Sequence, residues 1–540
     1  MVADDLGGTQ AQLHVAFRCD ASLAIGTGHV MRCLTLADAL RERDVRSTFI
    51  SRDLPGNINT RIMDAGHRLE RLAPPGDNMS TSSSECGQYR EWLGVGMDDE
   101  ISQSRTLVAK IAPDLVVTDH YALGSTWHEA VCDGCKVMAI DDLAEREHHC
   151  DLLLDQNFGR RAEDYYGLVS ERAQRLIGLD YALLRPEFLA ARDASLARRK
   201  ELSEPLQLLV SMGGVDRENS TGEILRVLSR FGQAECLAVT VIMGPNAPHL
   251  AAVERQAAAL SFPTKVVSNV SNMADLLSGI DLAIGAAGGS VWERCCLGVP
   301  SLLLNIADNQ RPAASALDQA GAAIALGDLA SGQWEVELSR ALDRLLQPAE
   351  LQGISQEAGK LVDGRGAARV ASHVIAQLLS VREVVESDAR TIWEWRHAGG
   401  AARYYQSGEE TPFEDHVVWL QAALMSGDRH LLMVERCGVP VGHIRLDRAP
   451  DTPSWATLSI SISPALRGKR LAQAILIAGI DFADRAGFAT LKASVHMENT
   501  ASHRLFVSCG FRETGRDRPF IHFTRQLGGL CAAIDGVHGE

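Results

Sequence analysis

The chain has 540 residues, 46% of them hydrophobic and 23% charged, so it is too long for one hydrophobic core and too apolar for a disordered chain. A net charge of −16 argues against nucleic acid or an anionic membrane as the main partner. It does not exclude a diphosphate ligand, because helix N-termini and backbone amides supply a local positive field.

The first residues, MVADDLGGTQAQ, have no basic-then-apolar leader pattern, and no apolar run approaches the ~20 residues of a membrane span. The 12 cysteines follow no disulfide-scaffold spacing, so a reduced, cytoplasmic setting is expected. Cys132-x-x-Cys135, with His148, His149 and Cys150 downstream, has no second pair at zinc-site spacing, and no metal is expected.

In chain order, LHVAFRCDA (13–21) predicts a buried strand, followed by a Gly-rich turn and a helix to about Leu40. STFIS (47–51), LVVTD (115–119), KVMAID (136–141) and LLLD (152–155) are short apolar runs bounded by polar turns, the pattern of a parallel α/β sheet. The polar stretch 78–88 predicts an exposed loop, and a charged helix is expected near 190–201. A second series follows: LQLLVSMGG (206–214), AVTVIMG (238–244), TKVVSN (264–269), LAIGAAGG (282–289) and SLLLNI (301–306). Two successive Rossmann-like lobes, 13–185 and 186–380, are therefore expected to face each other across a cleft, with ligands beyond the carboxyl ends of the strands. At Val381 a new β-α-β pattern starts, and a third domain is expected over 381–527. The last dozen residues are expected to fray.

Gly26-Thr27-Gly28-His29-Val30-Met31-Arg32 stands between the first strand and its helix. Its glycines allow a ligand close to the backbone, and the positive end of the helix disfavours an imidazolium, which leaves His29 able to accept a proton. A histidine there can equally be a helix-start residue with a local hydrogen bond. In the second lobe, Met212-Gly213-Gly214-Val215-Asp216 follows a strand and is expected to open a helix, the geometry for a diphosphate. Gly285-Ala286-Ala287-Gly288-Gly289-Ser290-Val291-Trp292-Glu293 repeats that pattern, and a carboxylate one turn into the helix can accept two ribose hydroxyls. Asn309 and Gln310 follow the next strand and reach toward the same cleft. Asp141 and Asp142, after a strand end, are candidate polar ligands of a sugar.

RCDASLAIGTGHVMRCLTLADAL, VTDHY, SMGGVDREN, GAAGGSVWE and DNQRPAASAL together resemble the UDP-2,4-diacetamido-2,4,6-trideoxy-β-L-altropyranose hydrolases of pseudaminic acid biosynthesis, over about residues 13–330. That family is similar to the MurG-type transferases of glycosyltransferase-B architecture, with water in place of the acceptor sugar. The resemblance implies that His29 is the catalytic base and that Tyr121 lines the sugar side of the cleft. It also implies that Glu293 holds the uridine ribose, with Gly28, Arg32, Gly213, Gly214, Gly288, Gly289, Ser290, Asn309 and Gln310 around the UDP-sugar. Attack opposite the leaving UDP would invert the anomeric centre without a metal.

Strand WATLSISISP (455–464), the loop Leu466-Arg467-Gly468-Lys469-Arg470-Leu471-Ala472 and helix QAILIAGIDFADRAG suit the pyrophosphate of coenzyme A. With LKASVHMEN and ASHRLFVSCGF, this segment resembles the GCN5-related N-acetyltransferases. The resemblance implies acetyl-CoA as co-substrate, held by residues 467–472, with Asn499 near the pantetheine arm. Two departures stand out. Arg470 occupies the second glycine position of the loop, where a bulky residue is expected to need right-handed backbone. Phe506 replaces the tyrosine that protonates the departing thiolate in many relatives. Trp393, Trp395 and Arg396 resemble substrate-side residues, though an aromatic core with a surface arginine reads as well.

The expected whole is an α/β enzyme that hydrolyses a UDP-activated amino sugar, fused to an acetyltransferase acting on the preceding UDP-4-amino sugar. The alternatives are a UDP-sugar glycosyltransferase and a non-catalytic UDP-sugar sensor. Neither nucleic acid nor membrane is an expected partner.

Overall fold

Residues 12–75, 89–200, 203–268, 270–404 and 411–528 are described by a computed structural model of the chain. The stretch 78–88 and the last dozen residues, expected above as a loop and a frayed end, lie outside the described residues.

Seven strands form the first sheet: β1 (His14–Cys19), β2 (Arg46–Arg52), β3 (Arg68–Leu72), β4 (Leu115–Asp119), β5 (Lys136–Ile140), β6 (Leu152–Asp155) and β7 (Gln174–Ile177). They run parallel in the order β3-β2-β1-β4-β5-β6-β7. The central strands β1 and β4 are buried at every position, as a sheet covered on both faces requires.

The second sheet holds β8 (Leu206–Ser211), β9 (Leu237–Met243), β10 (Thr264–Ser268), β11 (Leu282–Ala286), β12 (Ser301–Asn305) and β13 (Ile324–Asp328), also all parallel, in the order β10-β9-β8-β11-β12-β13. Helices cover it on both faces. Trp334, Leu338, Leu342 and Leu345 recur every three or four residues along helix Trp334–Leu345 and pack into its core.

Each sheet reverses its order once, between β1 and β4 and between β8 and β11. That is where an open parallel sheet leaves a crevice at the carboxyl ends of its strands. The loops at those ends meet: the Arg217 guanidinium, after β8, donates to the Leu23 carbonyl, after β1, at 2.5 Å.

Beneath the first crevice lies a buried charge cluster. Arg18 contacts Asp20 at 2.7 Å and Glu100 at 2.8 Å, Arg52 pairs with Glu100, and the Arg52 N–H donates to Asp20 at 2.7 Å. Burial opposes ionisation of both carboxyls, but Arg18 in each case, with Arg52 on Glu100 and His120 on Asp20, holds them below the usual carboxylate range.

The chain divides into two compact units between Ala371 and Ser372. The second carries the third sheet, β14 (Ser380–Glu383), β15 (Arg429–Arg436), β16 (Val439–Ala449), β17 (Thr452–Ile462), β18 (Thr490–His496), β19 (Arg512–Asp517) and β20 (Phe520–Gln526), in the order β14-β15-β16-β17-β18-β20-β19. All neighbours are antiparallel except β17 and β18. That parallel pair joins only at Trp455–Thr490, Ala456–Leu491 and Thr457–Lys492, although the strands run on to Ile462 and His496, so they part beyond the third pair. Helix Ala472–Arg485 lies close on β16, where a Cβ at Gly479 would come within 2.3 Å of Ile444 and one at Gly442 within 2.6 Å of Ile475. Only glycine permits that approach.

Candidate functional site

After β1 the chain turns through Gly26, whose φ of +81° is a left-handed conformation that glycine adopts without strain, and enters helix Gly28–Arg41. His29 is buried in the first turn of that helix, and its Nδ1 lies 2.5 Å from Asp119 Oδ1 at the end of β4. Arg32, one turn on, donates from Nε to Asp119 Oδ2 at 2.6 Å and from Nη2 to Oδ1 at 2.7 Å. Burial opposes the Asp119 charge, but Arg32 first and then His29 hold its carboxyl well below the ordinary range. An ionised carboxylate only accepts, so His29 presents Nδ1–H to it and Nε2 is left as the proton acceptor.

Arg32 also reaches Asp142 at 2.8 Å, and Asp142 accepts from the Tyr121 hydroxyl at 2.7 Å and from Asn157 at 3.1 Å. Burial and the Asp142 charge push the Tyr121 phenol well above its ordinary value, so it stays a donor. Tyr121 stands edge-on to His29 at 4.8 Å between centroids and stacks on Trp92 at 5.5 Å, while Tyr89 packs against both Trp92 and Tyr121. Of the paired aspartates, Asp142 belongs to this constellation. Asp141 is fully buried and structural, holding the Leu143 and Ala144 N–H groups, Tyr165 and Arg146.

In the second lobe the structure corrects one expectation. The helix after β8 begins at Ser220, not at Gly213–Gly214, and Asp216 accepts from the Ser220 and Thr221 N–H groups at 2.9 Å each. Those free amides of the helix start are therefore taken up by the protein's own carboxylate. Gly213 and Gly214 are exposed in the intervening loop, where the Gly214 carbonyl accepts from Gly244. After β11, Gly288, Gly289 and Ser290 lead into helix Ser290–Cys296, and a Cβ at Gly288 would stand 3.7 Å from Gln310 Nε2. Gln310 is thus brought to the turn, and its side chain accepts from Ile306; Asn309 beside it is exposed. Glu293 lies 3.7 Å from Arg185, and burial pushes its carboxyl up to about 7, against the pull of Arg185 and Arg294.

In the unit from Ser372 onward, Gly468, Lys469 and Arg470 are exposed on the loop that precedes helix Ala472–Arg485, and Leu471 is its buried N-cap. Arg470 has φ +60°, so the expectation of right-handed backbone is corrected: the arginine adopts the left-handed conformation a glycine would take. Arg467 turns its guanidinium to the carbonyls of Trp395 and Ala398, both at 2.9 Å, at the C-terminal end of helix Ala389–His397. Asn499 caps helix Thr500–Ser508 by accepting from the Ser502 N–H at 3.1 Å. Phe506 is buried between Phe511 and Phe523, and Trp395 belongs to an aliphatic core.

The acetyltransferase (GNAT) family model matches residues 392–511. The chain carries a C-terminal GNAT acetyltransferase domain. An uncharacterised protein of Methanocaldococcus jannaschii is 20% identical over 531 residues, covering 94% of this chain and 99% of that protein. The spore coat polysaccharide biosynthesis protein SpsG of Bacillus subtilis is 24% identical over 365 residues, covering 66% of this chain and 96% of that protein. The UDP-2,4-diacetamido-2,4,6-trideoxy-beta-L-altropyranose hydrolase of Campylobacter jejuni is 26% identical over 312 residues, covering 57% of this chain and 97% of that protein. The chain is a homologue of these proteins.

A GNAT domain implies acetyl-CoA as co-substrate, and the loop fits its pyrophosphate. Gly468 has φ +80°, a Cβ there would meet nothing within 4 Å, and two cationic side chains flank the start of a 14-residue helix. Among the described residues no group of three His, Cys, Asp or Glu side chains is placed to hold a metal ion, and no helix is long and apolar enough to cross a membrane.

Sequence reasoning passed over Asp119, Trp92 and Tyr89. Asp119 stood in the VTDHY motif, and its place at the end of an apolar run beside β1 was the signal available. Nothing local marks the two aromatics, which reach the site only through the fold.

Proposed function

We propose that the N-terminal unit hydrolyses UDP-2,4-diacetamido-2,4,6-trideoxy-β-L-altropyranose to the free sugar and UDP. We further propose that the acetyltransferase domain N-acetylates the UDP-4-amino sugar that precedes it, which would make the two halves consecutive steps on one nucleotide sugar. The observation that carries the first step is the His29–Asp119–Arg32 arrangement at the reversal of the first sheet.

In this reading UDP is already a good leaving group, and the site has to position water and accept its proton. His29 Nε2 takes that proton, Asp119 keeps the ring in the tautomer that can do so, and Arg32 fixes Asp119 by two hydrogen bonds. Tyr121 and Arg32, joined through Asp142, line the sugar side with Gly28. The amides of Gly288, Gly289 and Ser290 face the charge that develops on the diphosphate, with Gly213, Gly214, Asn309 and Gln310 at the same mouth. Glu293 receives the ribose hydroxyls. Attack from the face opposite UDP inverts the anomeric centre, and the scheme calls on no metal.

For the second step acetyl-CoA supplies an acetyl group activated as a thioester. The 467–472 loop holds its pyrophosphate and Asn499 stands beside its pantetheine arm. The name and reaction of the Campylobacter homologue support the choice of sugar.

The test is product analysis with UDP-2,4-diacetamido-2,4,6-trideoxyhexoses of different configuration and no acceptor. Stoichiometric UDP and free sugar from the altro isomer are expected. UDP release only on adding an acceptor sugar would make the protein a transferase, and tight UDP-sugar binding without turnover would make it a sensor.

A further inference from the structure

Acetyl transfer to an amine must remove a proton from nitrogen and return one to sulfur. Phe506, on helix Thr500–Ser508, can do neither. The acetyltransferase domain carries a hydrogen-bonded chain of polar side chains on its sheet. Ser494 on β18 and His522 on β20 are directly opposed in the antiparallel ladder, and Ser494 Oγ lies 2.9 Å from His522 Nδ1. On the far side of the ring, His522 Nε2 lies 2.7 Å from Asp517 Oδ1, at the end of β19. The carboxylate only accepts, so the imidazole carries its hydrogen on Nε2. Nδ1 therefore accepts from the serine hydroxyl, and the lone pairs of Oγ are turned outward.

The position of the chain in the fold gives it a use. Ser494 is two residues beyond Lys492, the last residue of β18 that pairs with β17, and so stands on the strand where the two part. His496 follows on the same face, and the Tyr404 ring packs 5.6 Å from it. Tyr404 ends the segment Ala398–Tyr404, whose first carbonyl is held by Arg467 of the pyrophosphate loop. The face that bears Ser494 is thus tied by one short segment to the loop suited to coenzyme A.

We propose that Ser494, His522 and Asp517 form a proton relay for the acceptor amine, an inference that rests on the acetyltransferase reading of this domain. As the nitrogen lone pair attacks the thioester carbonyl, the N–H proton passes to Ser494 Oγ, and the serine proton passes to His522 Nδ1. The C–S bond then breaks with its electron pair on sulfur, and the imidazolium returns its proton through Ser494 to the thiolate. The products are amide and thiol, and the relay is unchanged. Ser494 is the catalytic residue, while His522 and Asp517 act through it.

The experiment uses the full chain, acetyl-CoA, and as acceptor either the UDP-4-amino sugar or a panel of simple primary alkylamines, with thiol release as readout. Ser494→Ala and His522→Ala are expected to lower kcat about a hundredfold with KM for the amine within threefold of the parent. Imidazole in the buffer should restore His522→Ala and leave Ser494→Ala unrescued. In histidine-labelled protein, nitrogen NMR should show His522 as the Nε2–H tautomer and Asp517→Asn should disturb it. Equal kcat in parent and variants, absence of imidazole rescue, or the opposite tautomer overturns the relay. Turnover of alkylamines but not of the amino sugar overturns only the proposed substrate and leaves the relay to be judged on those amines. A parent chain that acetylates no amine overturns both.

Discussion

Asp119 Oδ1 lies 2.5 Å from His29 Nδ1, and the same oxygen accepts from Arg32 at 2.7 Å. The histidine is therefore held on one ring nitrogen by a carboxylate that is itself clamped by a guanidinium one helical turn away. Ring orientation, tautomer and local charge are all fixed before any substrate arrives.

Replacing His29 by alanine should lower the rate of UDP release by about 10²–10⁴-fold while UDP affinity stays near the parent's, because a base acts on the rate and not on ground-state binding. Steady-state kinetics beside calorimetric UDP titration checks this. Near-normal turnover would remove His29 from the mechanism.

Asp119→Asn keeps the shape but can donate to Nδ1, which would move the ring proton to Nε2, the wrong nitrogen for a base. A loss of kcat of at least about a hundredfold is expected, with little change in KM. The amide also gives up the charge that Arg32 pairs with, so thermal unfolding should be recorded in parallel. Full activity in a folded Asp119→Asn protein would refute the orienting role.

Glu293→Ala should weaken UDP by about 1–3 kcal/mol if the carboxylate accepts ribose hydroxyls. The pH dependence gives an independent reading. Burial raises this carboxyl to about 7, and the ionised form is the better acceptor, so affinity should climb as pH rises through about 7. Uridine is the ligand of choice, since it carries no phosphate that titrates in the same range. A flat profile in the parent, or the same slope in Glu293→Gln, would return Glu293 to a structural role. Glu293→Gln should also stabilise the fold near neutral pH. The native state holds this proton to about 7 and the unfolded chain loses it lower, so ionisation favours unfolding across that interval.

Arg470→Gly should raise the stability of the acetyltransferase unit by up to about 1 kcal/mol, because a non-glycine residue at φ +60° is strained. Affinity for acetyl-CoA should fall if the guanidinium contacts the pyrophosphate, and stay level if only the loop backbone does. An unchanged melting temperature would show that Arg470 recovers its strain through contacts of its own.

β4 and β12 were legible to within a residue and β1 to within two, from largely apolar runs bounded by polar turns, whereas β8 and β11 end three residues short of the runs read for them, where each gives way to its glycine loop. β3 (RLERL) and β7 (QRLI) were not, because sheet-edge strands carry charged residues and show no apolar run. The place of His29 at a helix start was legible from its glycine turn, and its contact with Asp119 only in retrospect, because what brings the two together is the adjacency of β1 and β4 across some 90 residues. The parting of β17 and β18 has no local signature at all. Asp216 misled for a physical reason: a Gly-Gly-x-Asp turn after a strand looks like an anion site, but its carboxylate caps the helix itself.

The charge cluster of Arg18, Asp20, Arg52 and Glu100 sets an acid limit on the N-terminal lobe. Its two carboxyls titrate below the ordinary range in the fold, so the stability they contribute is complete above about pH 4 and drains away as the solution is acidified further. Protonation would leave two guanidinium groups in the interior with no counter-charge. Because Asp20 opens the loop that carries His29, acid unfolding of the lobe should dismantle the site with it.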